Sequence, residues 1–398
     1  MRARDLGIAI GRGRPGPANA ITDVAGVRVG HATIIHGDGP LVIGRGPVRT
    51  GVTMIVPHDG DLWTEPIFAG SHRLNGNGEL TGLEWIREAG HLTGPIGITN
   101  THSVGVVRDA IIRNAVRDLP FGTSYWALPV VGETWDGLLN DIDGFHVTPD
   151  HVDEALAAAS GGAVAEGGVG GGTGMICHEF KGGIGTASRV VPAESGGFTV
   201  GVLVQANYGR RDWFRVDGVP VGEAIPVEEL PSPYSAIDDD ETAGVAAGRP
   251  ARRGDLPPPG SGSIIVIVAT DAPLLPNQCE RLAQRAGLGI ARMGGTGAHS
   301  SGDLFLAFAT GNRTLPRTSF AADPRITADI RALNDFAIGP LFDATIEATE
   351  EAILNALVAA TTMTGRDGIT AHALPHDRLV EAMARFGRPP HPHPEVPS

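Results

Sequence analysis

The chain has 398 residues, a formal net charge of −14 and an aromatic content of only 5%. Its length supports one large α/β domain or two ordinary ones. The negative balance argues against nucleic acid or an anionic membrane as partner and mildly attracts cationic groups such as substrate amines. Glycine is abundant at 57 residues, yet the hydrophobic fraction is a normal 41%, so the glycines mark tight turns and close backbone approaches rather than disorder. Two cysteines, Cys177 and Cys279, are too few for a disulfide framework and read as reduced and buried. Met1 to Arg14 carries arginines but no apolar core of secretory length. No apolar run approaches the roughly 18 residues of a membrane helix. The expected location is cytoplasmic, with no membrane partner.

Residues 21–57 read as short strands and turns, with Val52-Thr53-Met54-Ile55-Val56 a compact strand that Pro57 ends. A short helix fits Leu83 to Ala89, and a strand fits Gly94 to Asn100. Val107, Ala110, Ile111 and Ala115 form a helical stripe, with Thr101 or Ser103 placed to cap it. A helix over Val152 to Ala159 precedes a glycine-rich block, Gly161 to Gly174. Strands follow around residues 183–191 and 198–205, then at Ile264–Ala269 and Leu304–Thr310. Helices are expected from Gln278 to Met293 and from about Ala344 to Met363. This irregular mixture does not alternate as a parallel Rossmann sheet does and fits a layered α/β sandwich with a mixed sheet.

One segment departs from the pattern. Between Glu223 and Gly262 stand seven prolines and the run Asp238-Asp239-Asp240-Glu241, the composition of a linker. Unstructured loops of this length inside compact domains tend to be functional. The tail after Pro375 is rich in proline and histidine and reads as loose.

The linker ends at Gly260-Ser261-Gly262-Ser263, directly before Ile264-Ile265-Val266-Ile267-Val268. A serine hydroxyl can attack the carbonyl before it where glycine relieves crowding and tolerates unusual dihedrals. The resulting ester hydrolyses and leaves Ser263 as a new N-terminus. Its α-amine, with a reference pKa of about 8, can serve as base for its own hydroxyl. Cutting before Ser261 would leave that serine dangling ahead of the strand. A serine that simply starts a strand is the plainer alternative.

Other polar groups invite two readings. Asn207, after the strand ending Val202-Leu203-Val204-Gln205-Ala206, could donate to an oxyanion or merely serve a turn. Glu133, Asp136 and Asp141 flank Trp135 and could bind an amine or decorate a polar turn. His299-Ser300-Ser301-Gly302-Asp303 could be a hydrogen-bond relay or ordinary loop chemistry. Several motifs fail. Gly11-Arg12-Gly13-Arg14-Pro15-Gly16 is spoiled as a dinucleotide loop by Pro15. No Walker lysine follows Gly167–Gly174, and no serine sits in a GxSxG elbow. His178-Glu179 lacks a second histidine, and Pro375 between His372 and His376 argues against a helical metal site.

With these residues in view, the chain resembles the DmpA-type family of self-processing L-aminopeptidases and D-amino-acid esterases/amidases, which includes the β-peptidyl aminopeptidases. The resemblance runs from about Ile21 to Ala373. It rests on residues 21–31 (ITDVAGVRVGH), Gly76-Asn77-Gly78-Glu79, residues 99–105 (TNTHSVG), Gly168–Gly174, Val204-Gln205-Ala206-Asn207, Gly262-Ser263-Ile264-Ile265 and Ala269-Thr270-Asp271-Ala272-Pro273-Leu274. It implies a four-layer αββα sandwich like that of the N-terminal nucleophile hydrolases but with different connectivity. It also implies cleavage between Gly262 and Ser263, tetramers of αβ pairs, and no cofactor or metal.

By matching positions, Ser263 is the nucleophile, Asn207 an oxyanion ligand, and Ser301 with Asp303 the pair that steadies the nucleophile and amine. Glu133 anchors the substrate's free amine. Trp135 stands where the family motif has an active-site tyrosine, and an indole N–H can only donate.

The expected organisation is one catalytic domain built from residues 1–222 and 263–375, a linker over 223–262 and a loose tail over 376–398. The expected activity is removal of N-terminal residues from short peptides, amides or esters bearing a free amine, through an acyl-enzyme. The alternative is a non-catalytic or acyl-transferring relative that binds small amines, with Trp135 altering the site.

Overall fold

The computed structural model describes residues 1–236, 260–317, 323 and 325–389. In chain order the strands are β1 (Arg28–His36), β2 (Val48–Val56), β3 (Ile67–Gly76), β4 (His91–Leu92), β5 (Ile96–Asn100), β6 (Val130–Thr134), β7 (Ile176–Cys177), β8 (Phe180–Lys181), β9 (Gly183–Val190), β10 (Thr199–Gly209), β11 (Gly260–Thr270), β12 (Gly302–Ala309), β13 (Met363–Thr364) and β14 (Thr370–Ala371). The α-helices are α1 (Leu83–Ala89), α2 (Val104–Val116), α3 (Pro149–Ala157), α4 (Val221–Ala224), α5 (Pro276–Arg292), α6 (Gly339–Ala359) and α7 (His376–Arg385).

Two sheets stack face to face. One has the order β1-β2-β5-β6 and the other β4-β3-β12-β11-β10-β9. Each is antiparallel except for one parallel pair, β5 with β6 and β11 with β12. Helices α2 and α3 cover the four-stranded sheet, while α5 and α6 cover the six-stranded one. The expected αββα sandwich is the observed architecture.

Three apolar layers hold the four structural layers together, and β11 shows how sequence dictates them. Ile264, Val266 and Val268 join the core beneath α5 and α6, whereas Ile265 and Ile267 join the core between the sheets. All five are fully buried, at about 1.5–3 kcal/mol each relative to exposure. A third core, with Val52, Met54, Val131, Val107 and Val152, lies beneath α2 and α3. A one-residue slip of β11 would exchange every side chain between faces, so burial on both sides fixes its register. At Gly185 the backbone of α6 comes so close that a Cβ would lie 1.9 Å from the Ala352 carbonyl oxygen.

Two expectations about the irregular segments are corrected. The chain from 376 is not loose at its start. Helix α7 follows Pro375 and buries Leu379, Ala382 and Met383 at helical spacing, a stripe obscured by the surrounding prolines and histidines. Nor does a free linker begin at 223. The Arg211 guanidinium donates to the carbonyls of Ile225 (3.1 Å) and Leu230 (3.2 Å), Ser232 is buried, and Pro233–Ala236 forms a 3₁₀ turn. At the other end Gly260 already belongs to β11. The acidic run 238–241 and residues 390–398 lie outside the described residues.

Candidate active site

Ser263 sits near the start of β11, where two different partners flank it. In the antiparallel register with β10 it stands opposite Asn207, and in the parallel register with β12 it stands opposite Gly302. Alternation along β11 gives Ser263 the parity of Ile265, and along β10 it gives Asn207 the parity of Leu203. Both therefore belong to the face between the sheets. The Gly302 N–H donates to Ser263 Oγ at 3.1 Å. Gly262 has φ of +152°, and a Cβ there would lie 1.9 Å from the Asn207 carbonyl oxygen. Only glycine fits directly before this serine. Ser300 Oγ donates to Ser261 Oγ at 2.8 Å, tying the segment ahead of Ser263 to the loop before β12.

Asn207 is held at both ends of its amide. Its Oδ1 accepts from the Ile176 N–H at 2.8 Å, and its Nδ2 donates to the Trp135 carbonyl at 2.9 Å. An amide nitrogen carries two hydrogens, so one N–H of a fixed donor remains beyond the Trp135 bond. Trp135 thus contributes a backbone carbonyl to the site. Its side chain packs against a satellite cluster that includes Leu138, Leu139 and Ile176.

Ser301 and Asp303 flank Gly302, whose N–H reaches Ser263. Ser301 Oγ donates to Asp303 Oδ1 at 2.6 Å, and both residues are buried. Burial pushes the Asp303 carboxyl up to about 6, against the opposing hydrogen bonds from Ser301 and the Ile264 N–H.

Glu133 approaches from the end of β6. Its Oε2 accepts from Thr101 Oγ1 at 2.5 Å and its Oε1 from the Glu79 N–H at 2.8 Å. Burial raises this carboxyl above the usual carboxylate range, and the two hydrogen bonds oppose the shift. A Cβ placed on Gly78 would lie 3.0 Å from Gly302 Cα and 3.1 Å from Glu133 Oε1. The carboxylate is therefore only about one residue's width from the peptide that contacts Ser263.

The other two acids of this stretch serve structure. Asp136 is fully buried and accepts from Asn140 Nδ2 at 3.0 Å, and burial pushes its carboxyl up to about 7. Asp141 accepts from the N–H groups of Gly44 and Gly46 and contacts His146 at 2.9 Å. Asp136 and Asp141 make these contacts within and beside the turn, whereas Glu133 lies near Gly302.

The structure thus sets Ser263 beside Asn207 on the face between the sheets, with the Ser301–Asp303 pair flanking Gly302, whose N–H reaches Ser263, and Glu133 near the same peptide. Sequence reasoning missed the groups that hold these side chains: the N–H groups of Gly302, Ile176 and Glu79, and Thr101. The stretches Gly76–Glu79 and Thr99–Gly105 were conspicuous in the sequence, but nothing in them assigned these contacts. No helix among the described residues is long and apolar enough to cross a membrane.

Known proteins resemble this chain along nearly its whole length. Peptidase family S58 matches residues 19–371. A β-peptidyl aminopeptidase of Sphingosinicella microcystinivorans is 48% identical over 97% of this chain and 93% of that protein. Among solved structures, a Burkholderia sp. β-aminopeptidase superposes with a TM-score of 0.86 at 54% identity, covering 97% of this chain and 99% of that one. The L-aminopeptidase D-Ala-esterase/amidase of Ochrobactrum anthropi, described as a prototype of the serine aminopeptidases and a variant of the Ntn hydrolase fold, superposes with a TM-score of 0.84. It is 43% identical, with 97% of this chain and 99% of that one covered. The chain belongs to peptidase family S58 and is a self-processing serine aminopeptidase of the N-terminal nucleophile kind.

Proposed function

We propose that this chain cleaves itself between Gly262 and Ser263 and then uses Ser263 to release N-terminal residues, β-amino acids among them, from short peptides and amides. The observation that carries this reading is the placement of Ser263 between Asn207 and Gly302, preceded by a glycine that no other residue can replace. The β-residue preference is supported by the Sphingosinicella and Burkholderia relatives.

Self-cleavage begins when Ser263 Oγ attacks the Gly262 carbonyl carbon. The acyl group shifts from nitrogen to oxygen, and water hydrolyses the ester, leaving a fragment ending at Gly262 and one beginning at Ser263. In turnover the new α-amine takes the Oγ proton as Oγ attacks the substrate carbonyl. The remaining Asn207 N–H donates to the oxyanion. The leaving amine receives the proton, and water then releases the acyl group. Ser301 and the Asp303 carboxylate orient the α-amine from beside it. Glu133 receives the substrate ammonium, a charge-assisted contact that restricts the enzyme to free N-termini. The proposed steps draw on side chains, backbone and the α-amine, with no cofactor.

The working assembly is a tetramer of αβ pairs. The large apolar side chains Phe121 and Phe336, fully exposed on the single chain, give such an assembly surface to cover. A cytoplasmic location is in keeping with the two free, buried thiols Cys177 and Cys279.

A Ser263→Ala variant should keep the full-length mass and show no activity on amino-acid anilides. A variant that is cleaved and active would overturn the mechanism. Glu133→Gln should lower kcat/KM for free-amine substrates about 10–100-fold, the scale of one hydrogen bond to a charged group. Self-cleavage, which needs no free amine, should stay within about 2-fold. Equal losses in both reactions would remove Glu133 from amine binding.

The pH dependence follows from Asp303. Its carboxyl is raised from 3.8 to about 6, so it ionises above pH about 6. Activity should therefore fall as pH drops through about 6, with the α-amine ammonium pulling this limb lower once it has formed. Asp303→Asn should remove the added fall below pH about 6 and leave only the limb set by the α-amine, which must be neutral to act as base; an unchanged fall below about 6 in the variant would contradict the assignment. The stability effect has the opposite sign. Between pH 3.8 and about 6 the folded chain keeps a proton that the unfolded chain has lost, so this group's contribution to stability decreases as pH rises.

A further inference from the structure

Lys181 is a buried cation that the reaction described above does not use. It lies in β8, opposite Ile176 of β7 in the antiparallel pairing, and is fully buried. Its Nζ donates to three backbone carbonyls: Gly182 at 2.9 Å, Met175 at 3.0 Å and Gly172 at 3.3 Å. Among the described residues it forms no ion pair with a carboxylate. An isolated buried ammonium is costly unless its hydrogens are satisfied. Here three donors meet three acceptors, the complement of a protonated lysine. A neutral amine has two hydrogens and would leave one buried carbonyl without its donor.

What the ammonium holds is specific. Gly172 and Met175 belong to the glycine-rich turn that runs directly into Ile176, and Gly182 N–H closes the same turn on the Met175 carbonyl at 2.9 Å. The turn is packed tightly. A Cβ on Gly171 would lie 2.3 Å from Gln205 Oε1, and one on Gly172 would lie 2.4 Å from the Ile184 nitrogen. Ile176 N–H is the donor that fixes Asn207 Oδ1. The amide nitrogen of Asn207 therefore takes its direction from a backbone turn that is pinned from behind by Lys181. Burial pushes the ammonium down to about 7, opposed by the nearby Cys177.

We propose that Lys181 is a positioning residue for catalysis: by gathering the Gly172, Met175 and Gly182 carbonyls it sets the turn that aims Asn207 at the oxyanion. The proposal rests on the oxyanion role given to Asn207 above. It assigns a catalytic consequence to a side chain that is remote from the substrate. Misdirecting an oxyanion donor costs rate rather than ground-state affinity, because the donor acts on charge that develops only in the transition state.

The test compares Lys181→Met, Lys181→Gln, Asn207→Ala and the Lys181→Met/Asn207→Ala double variant. kcat and KM are measured on an amino-acid anilide, with kcat expressed per processed chain counted by mass, and folding is checked by thermal unfolding. Each lysine variant should lower kcat at least about 10-fold with KM within about 2-fold. In the Asn207→Ala background the lysine substitution should add less than about 2-fold, because two residues acting as a unit do not add. An unchanged kcat in a folded lysine variant would overturn the proposal, as would losses that multiply in the double variant. Failure of both lysine variants to fold would also overturn it, by making Lys181 a requirement of the fold rather than of the site. Wild-type kcat in Asn207→Ala would instead overturn the oxyanion reading beneath it, a result distinct from any failure of Lys181.

Discussion

The structure depends on the pairing of β11 with an antiparallel neighbour on one side and a parallel neighbour on the other. That double pairing puts Ser263 between Asn207 and Gly302 and leaves no space for a side chain at the residue before it. The strand can be held so firmly because both of its faces are buried, with Ile264, Val266 and Val268 under the helices and Ile265 and Ile267 between the sheets. Any slip of register would expel several aliphatic side chains from their cores. The stability of the sandwich and the position of Ser263 therefore have one physical origin.

Around that fixed point stand two buried carboxyl groups. Asp303 is bonded to Ser301 and lies next to the peptide that contacts Ser263. Glu133 comes from the facing sheet and is oriented by Thr101 and the Glu79 backbone. Burial raises both carboxyls, so each would be stabilised as a carboxylate by a nearby cation; in the proposed mechanism these cations are the α-amine for Asp303 and the substrate ammonium for Glu133. The amide of Asn207 is clamped by the Ile176 N–H and the Trp135 carbonyl. The tryptophan at position 135 is compatible with this clamp because its backbone, not its indole, makes the contact.

The sequence made the strands and helices of the sandwich legible where a single period dominated, as in the β-forming run after Ser263 and the stripe Val107, Ala110, Ile111. The start of β11 was legible too, because a glycine, a serine and a rigid strand follow one another in order. The groups that orient the site's side chains were not, since Gly302, Ile176 and Glu79 act through backbone N–H groups that every residue type except proline possesses. Lys181 carried no signal because its role depends on three carbonyls brought together only by the turn. Helix α7 was hidden by proline and histidine content, although Leu379, Ala382 and Met383 bear the spacing that buries it. The near end of the acidic segment was misjudged because its anchor, Arg211, is remote in sequence from the carbonyls of Ile225 and Leu230 that it binds.

The central claim is that the chain is built to expose Ser263, and no other serine, as a new N-terminus. N-terminal sequencing of the smaller fragment of the purified protein tests it most directly. The account predicts the sequence Ser-Ile-Ile-Val-Ile, beginning at Ser263. A fragment beginning at Ser261, or a protein that remains a single chain while folded and active, would contradict it.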